Sequence, residues 1–348
     1  VAVQMSGRLQ TRVEEPVSLD AQAVYLSCSL GFVLDSQLRG ANAQEMLTAA
    51  NLALEVARAN APSAIRAYAP DMAHGPTTPD RLADELASAL EKGQIVPWFQ
   101  PQLSTDTGLV SGFEALARWH HPQRGVLLPG TFLPHIEKAG LTGTLQAIML
   151  REALEALGRW QEAGFTIPGV GVNFSPTDLR DPALADTVAW ELDRHDLAPS
   201  RLKIEILETV VSTSPDDETA RNIRRLSDLG CRIDLDDFGT GHASISSLKR
   251  FSIDRLKIDR SFVRGIDTDP RQQRMVAAIL TMAEQLELET LAEGVETAGE
   301  HSLLAQLGCA HVQGFGIARP MPPEATLPWL RTHTGKLQAP PDLRKGAV

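Results

Sequence analysis

Between residues 95 and 313 the chain repeats one pattern: a short apolar run, a helix-patterned stretch, then another apolar run. The runs fall near 95–100, 110–118, 169–173, 201–206, 231–236, 254–258, 289–292 and 310–313, each about the length of a strand. Apolar residues at three- and four-residue steps over 143–163, 215–229 and 270–287 supply helices between them. Eight strands with intervening helices over roughly 250 residues favour an α/β fold, a (β/α)8 TIM-type barrel, although an open doubly wound sheet shares the local pattern. The first two runs break the rule. Only the nine residues LSTDTGLVS join them, too few for a helical crossover, so that pair is expected to be antiparallel and the barrel irregular at its first strand.

Upstream, the stretch from Ala69 to Asp80 (APDMAHGPTTPD) holds three prolines and a glycine, the composition of a domain boundary. We place a small N-terminal α+β remnant at 1–75 and the barrel at 76–348. Helical periodicity resumes at Arg81, with Asp80 as the expected N-cap and Gly93 as the stop.

The formal net charge of -11 argues against general attraction for long nucleic acids, so a phosphate-bearing substrate needs metal ions or specific arginines. Three scattered cysteines, Cys28, Cys231 and Cys309, without a C-x-x-C pair, suit a reduced interior rather than zinc or disulfides. Apolar runs are too short to span a bilayer and there is no leader pattern. The expectation is a cytoplasmic chain without membrane contact in these residues, which leaves room for a membrane anchor upstream of Val1.

Polar residues recur where the runs end: Asn173, Glu205, Asp236, Asp237, Lys257, Glu293 and Gln313. In a barrel those ends share the face on which active sites are built. A lone acid after a strand is more often a helix cap or a surface charge; the recurrence is what points to a site. Several carboxylates in one pocket repel unless a cation balances them, and oxygen ligands without Cys or His suit magnesium or manganese. Adjacent Asp236 and Asp237 suggest one carboxylate bridging two metals, as in many phosphodiester hydrolases. Lys257 then orients water or offsets phosphate charge, and Glu293 takes a proton or holds a metal. In GFEALARW, Glu114 and Arg118 sit at even spacing, hence on one face of a strand.

GFEALARW resembles the signature of EAL domains, bacterial phosphodiesterases that linearise cyclic-di-GMP to pGpG. Further segments are similar in family order: RWHHPQRGVLLPGTFLPHIEKAGL, VNFSPTDL, IEILET, DLDDFGTGHASISSL, LKIDRSFV, LAEGVET and QGFGIARPM. The resemblance implies metal ligands at Glu114, Asn173, Glu205, Asp236 and Asp237, two Mg2+ or Mn2+ ions per active site, and catalytic roles for Lys257 and Glu293. It implies substrate contacts at Gln100, Leu116, Arg118 and Gln313, and a loop-bracing role for Glu208. It also implies a homodimer coupled to the DDFGTG loop. Two departures, Leu207 where threonine is usual and the tryptophan of WFQPQ, remove no ligand. VYLSCSLGFVLDSQ with AQEMLTAANLALEVARANAPSAIRAY resembles the C-terminal part of a GGDEF domain, without the cyclase signature.

One competing function is a catalytically idle cyclic-di-GMP receptor, but such relatives lack ligands that are all present here. The DFG letters of DDFGTG lack the remaining kinase motifs, and GVGV at 169–172 is no dinucleotide fingerprint. His120 and His121, followed by Pro122, read as structural residues of a turn, and Trp98, Trp119, Trp160 and Trp190 as packing residues.

Overall fold

The computed structural model describes residues 2–13, 17–19, 22–24, 27–38, 42–60, 64–69, 79–212, 218–239, 241 and 245–337. It divides into two compact units, Val1–Ser88 and Ala89–Val348. Most of the turn-rich stretch, 70–78, and with it the expected boundary at 75/76, lies outside the described residues.

The first unit is a small α+β piece. Helix α1 (Ala2–Val13) precedes an antiparallel hairpin of β1 (Val17–Leu19) and β2 (Gln22–Val24). Then β3 (Leu30–Phe32), α2 (Ala43–Asn60) and β4 (Ile65–Ala67) follow, with β3 and β4 parallel. Ala49 and Ala53 of α2 pack with Tyr68 in a small apolar cluster. A β-carbon on Gly31 would strike the Leu54 backbone, so glycine there lets helix and strand lie close.

Helix α3 (Pro79–Glu91) carries the chain into the second unit. It starts at Pro79, whose fixed φ suits the first helical turn, so Asp80 is inside the helix and not its cap. Gly93, at φ 65°, ends it as expected.

The second unit runs β5 (Ile95–Ser104), β6 (Val110–His121), β7 (Gly125–Leu127), α4 (Pro129–Lys138), α5 (Thr142–Glu162), β8 (Val170–Asn173) and α6 (Leu184–Arg194). It continues β9 (Leu202–Leu207), α7 (Glu218–Leu229), β10 (Arg232–Phe238), α8 (Ile245–Arg250), β11 (Arg255–Ile258), α9 (Arg260–Val263) and α10 (Pro270–Gln285). Last come β12 (Glu289–Ala292), α11 (Ala298–Gln306), β13 (His311–Val312) and α12 (Pro323–Leu337). Eight strands close in the order β5-β13-β12-β11-β10-β9-β8-β6, with β6 paired back to β5 and β7 hanging from β6 as a hairpin. The barrel is that of the sequence expectation, strand for strand. Its irregularity is β5, antiparallel to both neighbours β6 and β13, while the other neighbouring barrel strands run parallel.

Strand alternation explains where the core sits. On β9, β10 and β11 the residues Leu202, Ile204, Ile206, Ile233, Leu235, Leu256 and Ile258 are fully buried on one face. Ile258 packs with Val276 and Leu280 of α10 and Leu304 of α11, so this face is the one covered by helices. The opposite face carries Lys203 and Glu205, Asp234 and Asp236, Arg255 and Lys257, which therefore fill the barrel. Barrel interiors are usually packed with branched aliphatics; here two layers of charge replace them. His120 and His121 belong to the end of β6 rather than to the turn: His121 Nδ1 accepts from the Gln123 and Arg124 N–H groups, and His120 Nε2 accepts from Trp98. Trp119 and Trp160 are buried as expected, but Trp190 is 58% exposed under the Arg194 guanidinium, on the outer face of α6.

Candidate active site

The upper charged layer lies at the ends of the parallel strands. Register places Gln100 opposite Glu114 and Asn173 opposite Glu205. Glu293 and Gln313 follow β12 and β13, held by Glu293 N–H to Ile258 O (3.0 Å) and Gln313 N–H to Ala292 O (2.9 Å).

Lys257 is the hub. Its fully buried ammonium lies 2.7 Å from Glu205 Oε2, 2.9 Å from Glu293 Oε1, 3.1 Å from Asp236 Oδ1 and 3.7 Å from Glu114 Oε2. Burial alone would drive its proton off, but the carboxylates hold its pKa well above the ordinary lysine value. Burial also acts on Glu114, where the Lys257 charge and the amides of Gln313 and Asn173 outweigh it and leave the carboxyl below its usual range. Glu205 goes the other way: burial, then the nearby Glu114 charge, push it well above. Glu293 is lifted to about 8, chiefly by burial and against the pull of Lys257.

A bulge in β10 brings in Asp237. The β10–β11 register slips between Leu235 and Phe238, and Asp237 takes φ 54°, a left-handed conformation that Asp tolerates better than most residues. Its N–H donates to Asp236 Oδ1 (2.9 Å). Two triads result, Glu114–Glu205–Asp236 and Asp236–Asp237–Glu293, with candidate ligand atoms in each within 4.8 Å of one another and Asp236 common to both.

The donor set fits divalent cations. Five carboxylates face one ammonium, and every donor is oxygen apart from the amide of Asn173, whose Nδ2 donates to Glu114 Oε1 (3.0 Å) as drawn and whose oxygen is equally available on rotation. Glu205 Oε1 is buried with no hydrogen-bond partner, a costly state that a cation would relieve.

Above the layer opens a cleft of about 550 Å³ lined by Gln100, Glu114, Leu116, Asp236, Glu293 and Gln313 from the sequence expectation. Gln100 donates to Ala318 O (3.0 Å) and accepts from Gln313 Nε2 (3.2 Å). Glu208 Oε2 accepts the N–H groups of Gly239 (3.0 Å) and Gly241 (2.9 Å), bracing the start of the loop after β10. Thr240 and 242–244 of that loop are outside the described residues. Arg118 is buried, bonded to Ala117 O (2.8 Å) and over the Trp98 ring, and does not line the cleft.

Sequence reasoning missed Arg260, Ser261, Arg264, Glu296 and Phe315 of the cleft walls. Their signal was position, since each follows a strand that ends at the site. It also missed the lower layer, where Arg255 Nε donates to Asp234 Oδ2 (2.9 Å), Arg255 NH1 to Gln102 Oε1 (3.1 Å) and Lys203 to Ser111 O (3.2 Å).

A closed barrel whose strand ends gather acids around one lysine is the arrangement of a TIM-type barrel active site. The EAL domain family matches residues 83–320, and the chain belongs to it. It is 34% identical over 329 residues to MucR of Pseudomonas aeruginosa, a bifunctional diguanylate cyclase/cyclic di-GMP phosphodiesterase, covering 94% of this chain and 47% of MucR. It is 33% identical over 330 residues to the cyclic di-GMP phosphodiesterase PdeR of Escherichia coli, covering 94% of this chain and 49% of PdeR. The chain thus spans about half the length of these relatives. The structure of the MucR phosphodiesterase in complex with c-di-GMP superposes with a TM-score of 0.67 at 38% identity, covering 70% of this chain and 98% of that one. The c-di-GMP-bound EAL domain of FimX from Pseudomonas aeruginosa has the same fold, with a TM-score of 0.63 at 23% identity, covering 69% and 96%. Among the described residues no helix is long and apolar enough to cross a membrane.

Proposed function

We propose that the barrel hydrolyses one phosphodiester of cyclic-di-GMP to give linear pGpG. The observation that carries this reading is the pair of carboxylate triads sharing Asp236 beneath an open cleft. Membership of the EAL family, and relatives named as cyclic di-GMP phosphodiesterases, support the substrate.

Glu114, Asn173, Glu205 and Asp236 would hold one Mg2+ or Mn2+, and Asp236 and Asp237 with Glu293 beside them a second. Bound there, the pair supplies Lewis acidity at the phosphodiester and counter-charge to its oxygens. Lys257 keeps four carboxylates in one small volume by lying against all of them. Glu293, on the cleft wall, takes the proton of the attacking water in its ionised form. The water oxygen bonds to phosphorus as the P–O3′ bond breaks, and the leaving 3′ oxygen takes up a proton from solvent water to become a hydroxyl. Gln100, Leu116, Arg118 and Gln313 are the proposed substrate contacts, Arg118 needing a rotamer change to reach the cleft. Glu208 is the proposed brace of the loop after β10, and a homodimer belongs to the same reading.

The test is incubation of the purified chain with cyclic-di-GMP and magnesium or manganese, with a chelator control and a Glu114→Ala variant, following pGpG by chromatography. Metal-dependent pGpG that disappears in the variant is expected. Tight binding of intact ligand without turnover would point to a receptor instead.

A further inference from the structure

A cyclic dinucleotide brings two phosphates, of which the proposed reaction cleaves one. The other must enter a cleft in a chain of net charge -11 whose lining includes Glu114, Asp236, Glu293 and Glu296. Of the cations inferred from sequence, Lys257 lies against four carboxylates, and Arg118, the proposed contact of one phosphate, is bonded to Ala117 O over the Trp98 face and is not part of the present cleft wall. The cationic side chains on the cleft wall are Arg260 and Arg264.

Both are exposed, and among the described residues neither guanidinium has an ion pair or a side-chain hydrogen bond. Their backbones are fixed. Arg260 opens α9, which Asp259 caps through Ser261 N–H (2.9 Å), and Arg264 N–H donates to Arg260 O (3.0 Å), closing the turn. The loop after Glu293 lies directly on this turn: Gly294, at φ 71°, has no room for a β-carbon because it would meet Cβ of Arg260. The two arginines are thus anchored to the wall that carries Glu293, with free planar donor forks suited to phosphate oxygens.

The geometry points to Arg260 and Arg264 as the site for the second, uncleaved phosphate of the dinucleotide. The assignment rests on the proposed function and adds a specificity element to it. Such contacts act on substrate binding more than on the chemical step, and they have nothing to grip in a substrate with a single phosphodiester.

Arg260→Gln and Arg264→Gln should each raise KM for cyclic-di-GMP about tenfold or more, with kcat changed far less. Their loss in kcat/KM on bis(p-nitrophenyl) phosphate, which has one phosphodiester, should be at least about tenfold smaller than on cyclic-di-GMP. Lysine at either position should recover part of the loss by restoring charge without the fork. An unchanged KM in both glutamine variants, or equal losses on the two substrates, would overturn the assignment while leaving the proposed function standing. A parent chain that neither binds nor cleaves cyclic-di-GMP would overturn the proposed function and this assignment with it.

Discussion

Gly171 of β8 faces the carboxylate of Glu205 on β9 so closely that no β-carbon would fit between them. A hydrogen atom in place of a side chain is what allows Glu205 to lie at the bottom of the acid layer. Gly171→Ala should therefore displace that carboxylate as well as overpack the barrel, destabilising the fold by roughly 1–3 kcal/mol. Turnover should fall about a hundredfold, as it does when catalytic groups are misplaced by about 1 Å. Thermal melting and pGpG formation check the two effects separately; a variant of full activity would show that Glu205 has no positional role.

Lys257→Met removes the one ammonium that balances Glu114, Glu205, Asp236 and Glu293. In chelator the variant should be less stable by about 3–5 kcal/mol, the scale for leaving buried charge uncompensated. Millimolar magnesium should raise its melting temperature more than that of the parent, because cations then do the balancing. Equal shifts in the two proteins would argue that the carboxylates bind no ion.

The lower layer titrates too, and comparison with a Lys203→Met variant separates it from Glu293 of the upper layer, which titrates in the same range. Burial, reinforced by the neighbouring Arg255 charge, brings the Lys203 amine from 10.5 down to about 8. The unfolded amine keeps its proton to about 10.5 and the folded one releases it near 8, so between those values the unfolded state binds more protons and stability rises with pH. Urea unfolding of the parent and of Lys203→Met across pH 7 to 10.5 should show the parent gaining on the variant above pH 8. Parallel profiles would contradict the shift.

Glu208→Gln keeps the shape of the brace and removes its charge. Two backbone N–H groups, of Gly239 and Gly241, lose a charged acceptor, an interaction of about 1.5–3 kcal/mol each in well-formed cases. Amide exchange at Gly239 and Gly241 should accelerate, and hydrolysis should slow about tenfold as the loop beside Asp237 loosens. Slower hydrolysis with unchanged exchange would move Glu208 from bracing the loop to some other role.

The strands were legible because apolar runs of the right length recur between helical periods, and the antiparallel β5–β6 pair because nine residues cannot cross a barrel. The carboxylates were legible because they stand at strand ends, where convergence is a property of the fold class. Three things were not. Lys203, Asp234 and Arg255 lie two residues before Glu205, Asp236 and Lys257, and the alternation in LKIEI, RIDLD and RLKID was the available sign that the barrel interior is charged. Arg260 and Arg264 had only their place after β11 as a sign, because the close approach of Gly294 to α9 is a long-range contact that no local pattern announces. Trp190 looked like packing because helical spacing alone does not say which face of α6 meets the barrel.

The bulge at Asp237 has a consequence for how such a site tolerates change. In a regular strand, neighbours in sequence point to opposite sides, so two consecutive aspartates could never serve one centre. One residue in a left-handed turn cancels that rule at a single place and makes Asp236 and Asp237 partners. The doubled aspartate is therefore a statement about backbone as much as about charge. An insertion or deletion one residue away would leave both letters in the chain and still take the pair apart.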